Sequence, residues 1–219
     1  MAVSGSYSGW HYDRTNNRLD FYFKGTRVGH ISSTGMSLAA TGLTLPTSLA
    51  TGYIPLPLTA MRVIGASADI SNTATNAGGI LAKNTDPILE RVNGATDKAL
   101  RVTWAANSVI EAQFPSFVYP PDLDDTLPVL VNLVLAKNTA TNTLTNLAIS
   151  YFESVGDTNA GTSTAAISVS TLATYSVTIA ASDVGASPAV ATIGVTPAAH
   201  ANDALYLYGA YVTYTRKVV

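Results

Sequence analysis

Hydrophobic and polar residues alternate with a period of two along much of this chain, which is the pattern of half-buried β-strands. In residues 99–104, Leu100, Val102 and Trp104 share one side and Arg101 and Thr103 the other. The stretch 129–135 (VLVNLVL) is almost continuously apolar, as expected of a strand that is covered on both faces. Helical periodicity is hard to find, and only the stretch SDV at 182–184 indicates a short helical turn.

Strand patterns of this kind recur at short intervals from residue 60 onward, separated by polar turn residues. The candidate strands are 61–70, 88–92, 99–104, 109–114, 129–136, 144–153, 166–171, 174–181, 189–196 and a final strand at 203–215. About eight to ten strands in one unit predict an all-β sandwich of the jelly-roll type. A closed β-barrel is the alternative architecture.

The final strand carries no charge on either face. A period of two places Leu205, Leu207, Gly209, Tyr211 and Thr213 together and sets a row of tyrosines opposite them. A strand that is apolar on one side and lined with tyrosines on the other is expected in the middle of a sheet, with a second layer or a neighbouring subunit over the tyrosines. Gly209 in mid-strand indicates a bulge or the close approach of another backbone.

A small antiparallel unit is predicted at residues 10–31, with polar turns at 14–17 and 25–26. Leu19, Phe21 and Phe23 share one face of its middle strand, and three such strands offer no second layer to cover that face. We therefore expect identical faces of other subunits to cover it. Residues 32–59 are rich in Gly, Ser, Thr and Pro and are interpreted as an extended neck. The predicted domains are 1–59 for oligomerisation and attachment, and 60–219 for the jelly-roll body.

The composition argues for a protein that packs against copies of itself or a large partner. Hydrophobic residues make up 47% of the chain and charged residues 12%, with a formal net charge of −2. Nucleic-acid binding requires a face rich in Lys and Arg, so it is not expected. No apolar run is long enough to span a membrane. The amino-terminal residues lack the pattern of a signal peptide, so ordinary secretion is not expected.

Side chains that carry chemistry are few. There is no cysteine, which removes disulfides, thiolate catalysis and cysteine-based zinc sites. None of the three histidines has metal-ligand spacing. His11 and His30 are interpreted as structural or interface groups, with a pH-sensitive contact as the alternative, and His200 as solvated. With three glutamates in all, candidates for glycan cleavage are few. The sequence therefore predicts a non-enzymatic protein without a cofactor or a metal site.

Two further features allow more than one interpretation. The acidic cluster Asp122, Asp124 and Asp125 suggests a solvated loop, and calcium binding is the alternative, although the ligand pattern of an EF-hand loop is missing. Trp104 alternates with two apolar residues and is expected in the core, the alternative being a platform for stacking a sugar.

Two stretches resemble structural proteins of tailed bacteriophages. Residues 10–22 (WHYDRTNNRLDFY), followed by GTRVGHI at 25–31, resemble small β units near the attachment ends of phage fibre and head-decoration chains. Residues 200–211 (HANDALYLYGAY), continuing to YTRK at 214–217, resemble the last strand of jelly-roll domains in such proteins. The resemblance implies a homotrimer with an intertwined amino-terminal portion and a projecting jelly-roll head.

The resemblance implies either a capsid cement protein or a tail-fibre protein, and the short length, with no long shaft or repeats, favours a trimeric capsid cement (decoration) protein. Such a protein is made in the cytoplasm of a bacterial host and binds the major capsid protein on the outside of a phage head. The prime candidates for partner contacts are aromatic or guanidinium anchors in the amino-terminal unit. They are Trp10, Tyr12, Phe21, Tyr22, Phe23 and Arg27.

The alternative function is that of a tail-fibre or receptor-binding protein that recognises a host glycan. It predicts a concave site with exposed aromatic side chains on the body, for instance near PSFVY at 115–119. A secreted carbohydrate-binding module is a third possibility, against which the missing signal peptide counts.

Overall fold

The computed structural model describes residues 8–24, 26–38, 50–63, 79, 81, 86–92, 98–138, 146–153, 160–168, 170–185, 189–198 and 203–217. The chain divides into two compact units, an amino-terminal unit, Met1–Leu49, and a body, Ala50–Val219. Within the described part of the chain, no helix is both long and apolar enough to cross a membrane.

The described body consists of strands and two short 3-10 turns, at Leu58–Ala60 and Ala181–Asp183. Its strands are β5 (Thr51–Leu56), β6 (Arg62–Val63), β7 (Ile88–Arg91), β8 (Leu100–Trp104), β9 (Ala112–Gln113), β10 (Phe117–Val118), β11 (Val129–Lys137), β12 (Leu147–Phe152), β13 (Thr162–Ser163), β14 (Ala173–Ile179), β15 (Val190–Pro197) and β16 (Leu205–Thr215). In the strand predicted at 166–171, the described residues 166–168, 170 and 171 belong to none of these strands, and β13 lies just before them.

Eight of these strands follow the order of a jelly roll. One sheet contains β8-β16-β11-β14 and the other contains β9-β15-β12-β13, with antiparallel pairing throughout. Numbered along the chain, these orders are 1-8-3-6 and 2-7-4-5, which is the arrangement that two Greek keys produce in a jelly roll. The predicted all-β, jelly-roll-type sandwich is therefore confirmed.

The core lies between the inner faces of the two sheets. Val131, Leu133 and Leu135 alternate inward along β11, and Ile149 and Ile193 belong to the same buried cluster from the second sheet. Each is at most 1% exposed. Burying a side chain of this size stabilises the fold by about 1.5–3 kcal/mol, so the strand alternation seen in the sequence is also the main source of stability. Trp104 is fully buried here, as expected.

The central strand β16 contains a bulge that the sequence pattern did not reveal. Its register against β11 shifts between Val134 and Leu135, so that Val134 pairs with Gly209 and Leu135 pairs with Leu207. Leu207 before the shift and Val212 after it are both fully buried. The predicted division of this strand into two uninterrupted faces is therefore wrong. Gly209 lies beside the shift, in line with its interpretation as the mark of a bulge.

Strand β5 lies in the stretch that was interpreted as part of the neck. It pairs antiparallel with residues 210–215 of β16 and belongs to the body, which begins at Ala50 rather than at residue 60. Pro55 was taken as a sign of extended linker, but a proline is compatible with a strand at the edge of a sheet. Most of the remaining neck, residues 39–49, lies outside the described residues.

The amino-terminal unit is a meander of four antiparallel strands, β1 (Gly9–Asp13), β2 (Arg18–Phe23), β3 (Thr26–Ser32) and β4 (Gly35–Leu38). The first three were predicted, whereas β4 was assigned to the neck. The two faces of this four-stranded sheet differ in chemistry. Trp10 lies opposite Phe21 on one face, and the polar side chains His11, Asp20 and His30 are in register on the other.

Candidate functional site

The outer face of the β16 sheet carries a row of tyrosines. Because Leu205, Leu207 and Val212 turn inward, Tyr206, Tyr208 and Tyr211 turn outward, and all three rings are half-buried. Neighbouring strands add three more side chains to this face. We call the resulting set the tyrosine face, and it consists of Tyr53 from β5, Glu90 from β7, Arg101 from β8, and Tyr206, Tyr208 and Tyr211 from β16.

Arg101 is held in place by aromatic and acidic neighbours. Its guanidinium carbon lies 3.7 Å from the ring centroid of Tyr206, and its Nη1 donates a hydrogen bond of 3.2 Å to the Tyr208 hydroxyl. Its Nε and Nη2 lie 2.9 and 2.8 Å from Oε1 of Glu90. Thr103 donates to the same oxygen at 2.7 Å. All three donors contact Oε1. No hydrogen bond to the Oε2 atom of Glu90 is found among the described residues.

The Arg101–Glu90 pair is electrically balanced at neutral pH. Burial acts to raise the pKa of Glu90, but the hydrogen bonds from Thr103 and Arg101 outweigh it and lower that pKa. Burial likewise acts to lower the pKa of Arg101, and its hydrogen bonds to Tyr208 and Glu90 raise it. Both groups stay charged and cancel each other. In the described strands, no other charged side chain lies on this face, so the face as a whole is neutral.

The other end of the tyrosine face is aromatic and rich in hydroxyl groups. The rings of Tyr53 and Tyr211 lie with centroids 6.1 Å apart at an interplanar angle of 43°, and Tyr53 is 63% exposed. Beyond them, a shallow pocket of about 130 Å³ is lined by Thr51, Pro128, Leu130, Thr213, Tyr214 and Thr215. The face thus combines rings with flat exposed surfaces and groups that can exchange hydrogen bonds with a ligand.

A polar network holds the middle of this sheet rigid. Asn132 on β11 donates to the Thr213 hydroxyl at 3.2 Å and accepts from the Ser176 hydroxyl at 2.7 Å, which links β16 to β14. Asn132 is only 5% exposed, so these hydrogen bonds satisfy a buried amide. A platform fixed in this way loses little conformational entropy when a ligand binds.

The six anchors predicted in the amino-terminal unit fall on two faces. Trp10, Tyr12, Phe21 and Phe23 share one face. On it Trp10 and Phe23 are each 60% exposed and Tyr12 52%, and Trp10 packs edge-to-face on Phe21 at 4.1 Å. Tyr22 and Arg27 are paired in register and lie on the opposite face, where Arg27 is 3.7 Å from the carboxylate of Asp20. The six residues do not form a single patch.

The carboxylates of the acidic loop are bound to neighbours within the body. Asp122 accepts from the Tyr214 hydroxyl at 3.0 Å and lies 3.3 Å from Arg216. Asp125 pairs with Lys217 at 3.0 Å. These contacts tie the loop to the end of β16. Among the described residues no group of acidic or histidine side chains has the arrangement of a metal site. His200 lies outside the described residues.

Residues 115–119 contribute to a cleft but do not supply exposed aromatic rings for it. Pro115 and Ser116 line an open cleft of about 360 Å³ on the second sheet. Tyr119 is 2% exposed, with its ring 6.0 Å from that of Phe117, and belongs to the core. The expected concavity is present at this place, whereas Tyr53, the exposed aromatic side chain among the described residues of the body, lies on the tyrosine face.

No protein-family model and no curated protein matches this sequence. Solved structures do match. The xylan-binding module CBM15 is 13% identical with a TM-score of 0.47, over 77% of this chain and 99% of its own. The CBM22-1–GH10 modules of Clostridium thermocellum xylanase 10B, complexed with xylohexaose, are 14% identical with a TM-score of 0.44, over 75% of this chain but only 28% of their own.

A third match is the enzymatically active domain of tailspike protein 4 of bacteriophage CBA120. It is 14% identical with a TM-score of 0.33, over 56% of this chain and 16% of its own. The likeness concerns the fold. All three TM-scores are below 0.5, so these matches indicate no function for this chain.

Sequence reasoning found part of the tyrosine face. The tyrosines of β16 were recognised as a row, and they were expected beneath a second layer or a neighbouring subunit. Tyr53, Arg101 and Glu90 were missed because strand pairing between distant parts of the chain brings them to this face. The one signal that could have suggested Arg101 and Glu90 is their outward position on two strands that are neighbours in sequence.

Proposed function

We propose that the body is a non-catalytic glycan-binding module and that its tyrosine face takes a neutral oligosaccharide. The supporting observation is the exposed Tyr53 and the row of partly buried tyrosines on β16, beside an internally balanced Arg101–Glu90 pair. The C–H surfaces of sugar rings stack on aromatic faces, while hydroxyl groups require a few fixed polar partners. Oε2 of Glu90 and the tyrosine hydroxyls supply such partners. A balanced ion pair gives no net attraction to an acidic sugar.

The dimensions of the face fit an extended chain of several sugars. Five residue steps separate Tyr206 from Tyr211, which is roughly 16 Å along a strand. The Thr-lined pocket extends the face beyond Tyr211.

Hydrolysis of a glycan commonly uses two carboxyl groups that flank the bond. In the described strands Glu90 is the single carboxylate on this face, which favours binding without cleavage.

Replacing Tyr53 and Tyr211 by alanine tests this function. We expect the double variant to bind oligosaccharides at least about tenfold more weakly, because it loses two aromatic rings on which sugars stack. Stacking on an aromatic side chain contributes about 1–3 kcal/mol for a nucleic-acid base, a ring of similar size to a sugar. An array of neutral glycans identifies a ligand for the full chain, and calorimetry then compares the variants. Tyr12→Ala, in the amino-terminal unit, is the matched control and should bind normally. Equal affinity of the double variant, or an array without a ligand, would refute the proposal.

Attachment to a virion is a second function, which the exposed aromatic face of the amino-terminal unit favours. In this proposal the chain is a homotrimer on the capsid exterior, where it cements the major capsid protein or carries the glycan-binding body. Trp10, Tyr12 and Phe23 are all more than half exposed. Aromatic side chains exposed together on one face of a small sheet are typical of protein interaction sites.

The variant Trp10→Ala/Phe23→Ala tests attachment. Aromatic anchors commonly contribute about 2 kcal/mol each, so losing both should weaken self-association about a thousandfold. Light scattering should show a fall from the mass of three chains to that of one, and capsids mixed with the variant should remain undecorated. Arg27→Ala changes the opposite face of the same sheet and should leave the mass unchanged. A variant that keeps the mass of three chains would exclude this face from the trimer.

A further inference from the structure

The second sheet carries a cleft of different chemistry from the tyrosine face. It has a volume of about 360 Å³, which is within the usual range for small-molecule sites. Its lining residues come from the edge of the sheet and the adjoining loops. They are Ala60, Arg62, Gln113, Phe114, Pro115, Ser116 and Thr192.

Arg62 supplies the one charge among these lining residues. Its Nη1 donates a hydrogen bond of 2.9 Å to the carbonyl oxygen of Met61, which fixes the guanidinium and leaves its other N–H donors for a ligand. No carboxylate of a described residue lies within ion-pair distance of it. This distinguishes Arg62 from Arg101, which Glu90 neutralises. Arg62 therefore gives the cleft a cationic donor for an anion, and a guanidinium fits a planar carboxylate in particular.

Gln113 lies opposite Arg62 in the strand register and is oriented by Glu111. The Gln113 Nε2 donates to Oε1 of Glu111 at 3.1 Å, so its carbonyl oxygen remains an acceptor for the cleft. Glu111 itself lies over Gly194, where a methyl group would overlap its carboxylate. The absence of a side chain at Gly194 thus lets Glu111 lie flat on the sheet, outside the lining of the cleft.

Hydroxyl groups complete the polar lining. Ser116 and Thr192 share a hydrogen bond of 2.7 Å, which uses one of their two hydroxyl protons and leaves the other as a donor. The exposed Pro115 and the adjacent Ala60 provide apolar surface. The cleft thus offers one carboxylate-binding group, one acceptor, one hydroxyl donor and a small apolar wall.

We infer that this cleft binds a carboxylate-bearing sugar, a uronic acid unit, through Arg62 for the carboxylate and Gln113, Ser116 and Thr192 for the hydroxyls. The site is separate from the proposed neutral-glycan site, because Arg62 and Gln113 lie on the second sheet and the tyrosine face on the first. The first sheet then recognises a neutral sugar and the second sheet an anionic one.

Titration of the full chain with D-glucuronate at constant ionic strength, followed by NMR, tests this site. We expect saturable shifts of the cleft residues for glucuronate, and no shifts of these residues for D-glucose or acetate at the same concentrations. Arg62→Gln should weaken glucuronate binding at least about tenfold, since hydrogen bonds to charged groups are the strong ones. Arg62→Lys should bind with intermediate affinity, because lysine keeps the charge but loses the bidentate geometry.

Two controls separate this inference from the proposed function. Tyr53→Ala/Tyr211→Ala should leave glucuronate binding unchanged, whereas Thr192→Val should weaken it by removing a hydroxyl. The inference is overturned if Arg62→Gln binds glucuronate like the unaltered chain, if acetate binds equally well, or if glucuronate does not saturate. None of these outcomes depends on whether the tyrosine face binds a neutral glycan.

Discussion

Lys137→Met should destabilise the protein by about 3–5 kcal/mol, the usual cost of removing one partner of a buried ion pair. The Lys137 Nζ lies 3.1 Å from Oδ2 of Asp203, and the two side chains are 0% and 1% exposed. Lys137 ends β11 and pairs in register with Leu205 at the start of β16. Methionine keeps the length of the side chain but leaves the Asp203 carboxylate buried without its cation.

Urea unfolding of the full chain, followed by the fluorescence of the buried Trp104 and by circular dichroism, measures this loss. Lys217→Met removes a partly exposed ion pair with a similar N–O distance, 3.0 Å to Asp125. This substitution should cost no more than about 1 kcal/mol. The double variant Lys137→Met/Asp203→Leu should recover much of the loss, because it removes both buried charges. A loss below about 1 kcal/mol for Lys137→Met would show that this pair contributes no more than a surface pair.

Gly52→Ala should cost at least about 2 kcal/mol of folding stability, the second largest effect on stability that we expect. Gly52 of β5 lies opposite Tyr214 of β16, and a methyl group at Gly52 would overlap the tyrosine ring. Tyr214 is 6% exposed and donates a hydrogen bond of 3.0 Å to Asp122. Overpacking typically costs about 1–3 kcal/mol, and losing a hydrogen bond to a carboxylate adds about 1.5–3 kcal/mol.

Gly209→Ala is the matched control for this substitution. A methyl group there would approach Val134 no closer than 3.9 Å, which is an ordinary contact, so the unfolding midpoint should change little. In a Tyr214→Leu background the cost of Gly52→Ala should shrink, because the overlapping ring is gone, and a double-mutant cycle measures this coupling. Equal costs at the two glycines would show that Tyr214 moves aside freely.

The strands that the sequence predicted well are those with uninterrupted local alternation. Val102 and Trp104 on β8, or Val177 and Ile179 on β14, are buried where a period of two places them. Such alternation follows from the pleat of each strand and needs no knowledge of its partners. The sandwich class could therefore be predicted before any pairing was known.

Features that depend on pairing between distant strands could not be predicted in this way. The bulge in β16 arises from its register against β11, and β5 is recognisable as a strand only through its pairing with β16. The burial of Lys137 depends on its pairing with Asp203, which lies far along the chain, and nothing next to Lys137 in the sequence indicates it. The same limit applies to the tyrosine face and to the Arg62 cleft, since each combines strands that are remote in sequence.

The central position of β16 has a consequence for how the body folds during synthesis. This strand pairs with β11, β8 and β5, yet it is translated after all three. Until residues 205–215 leave the ribosome, the facing edges of those strands have no partner, and nascent chains with open β edges are prone to associate with one another. Closing the sheet also requires contacts across more than 150 residues, from Thr51 to Thr215, and such long-range pairing folds slowly. Between the synthesis of β11 and that of β16, we therefore expect the nascent body to be most prone to association with other chains.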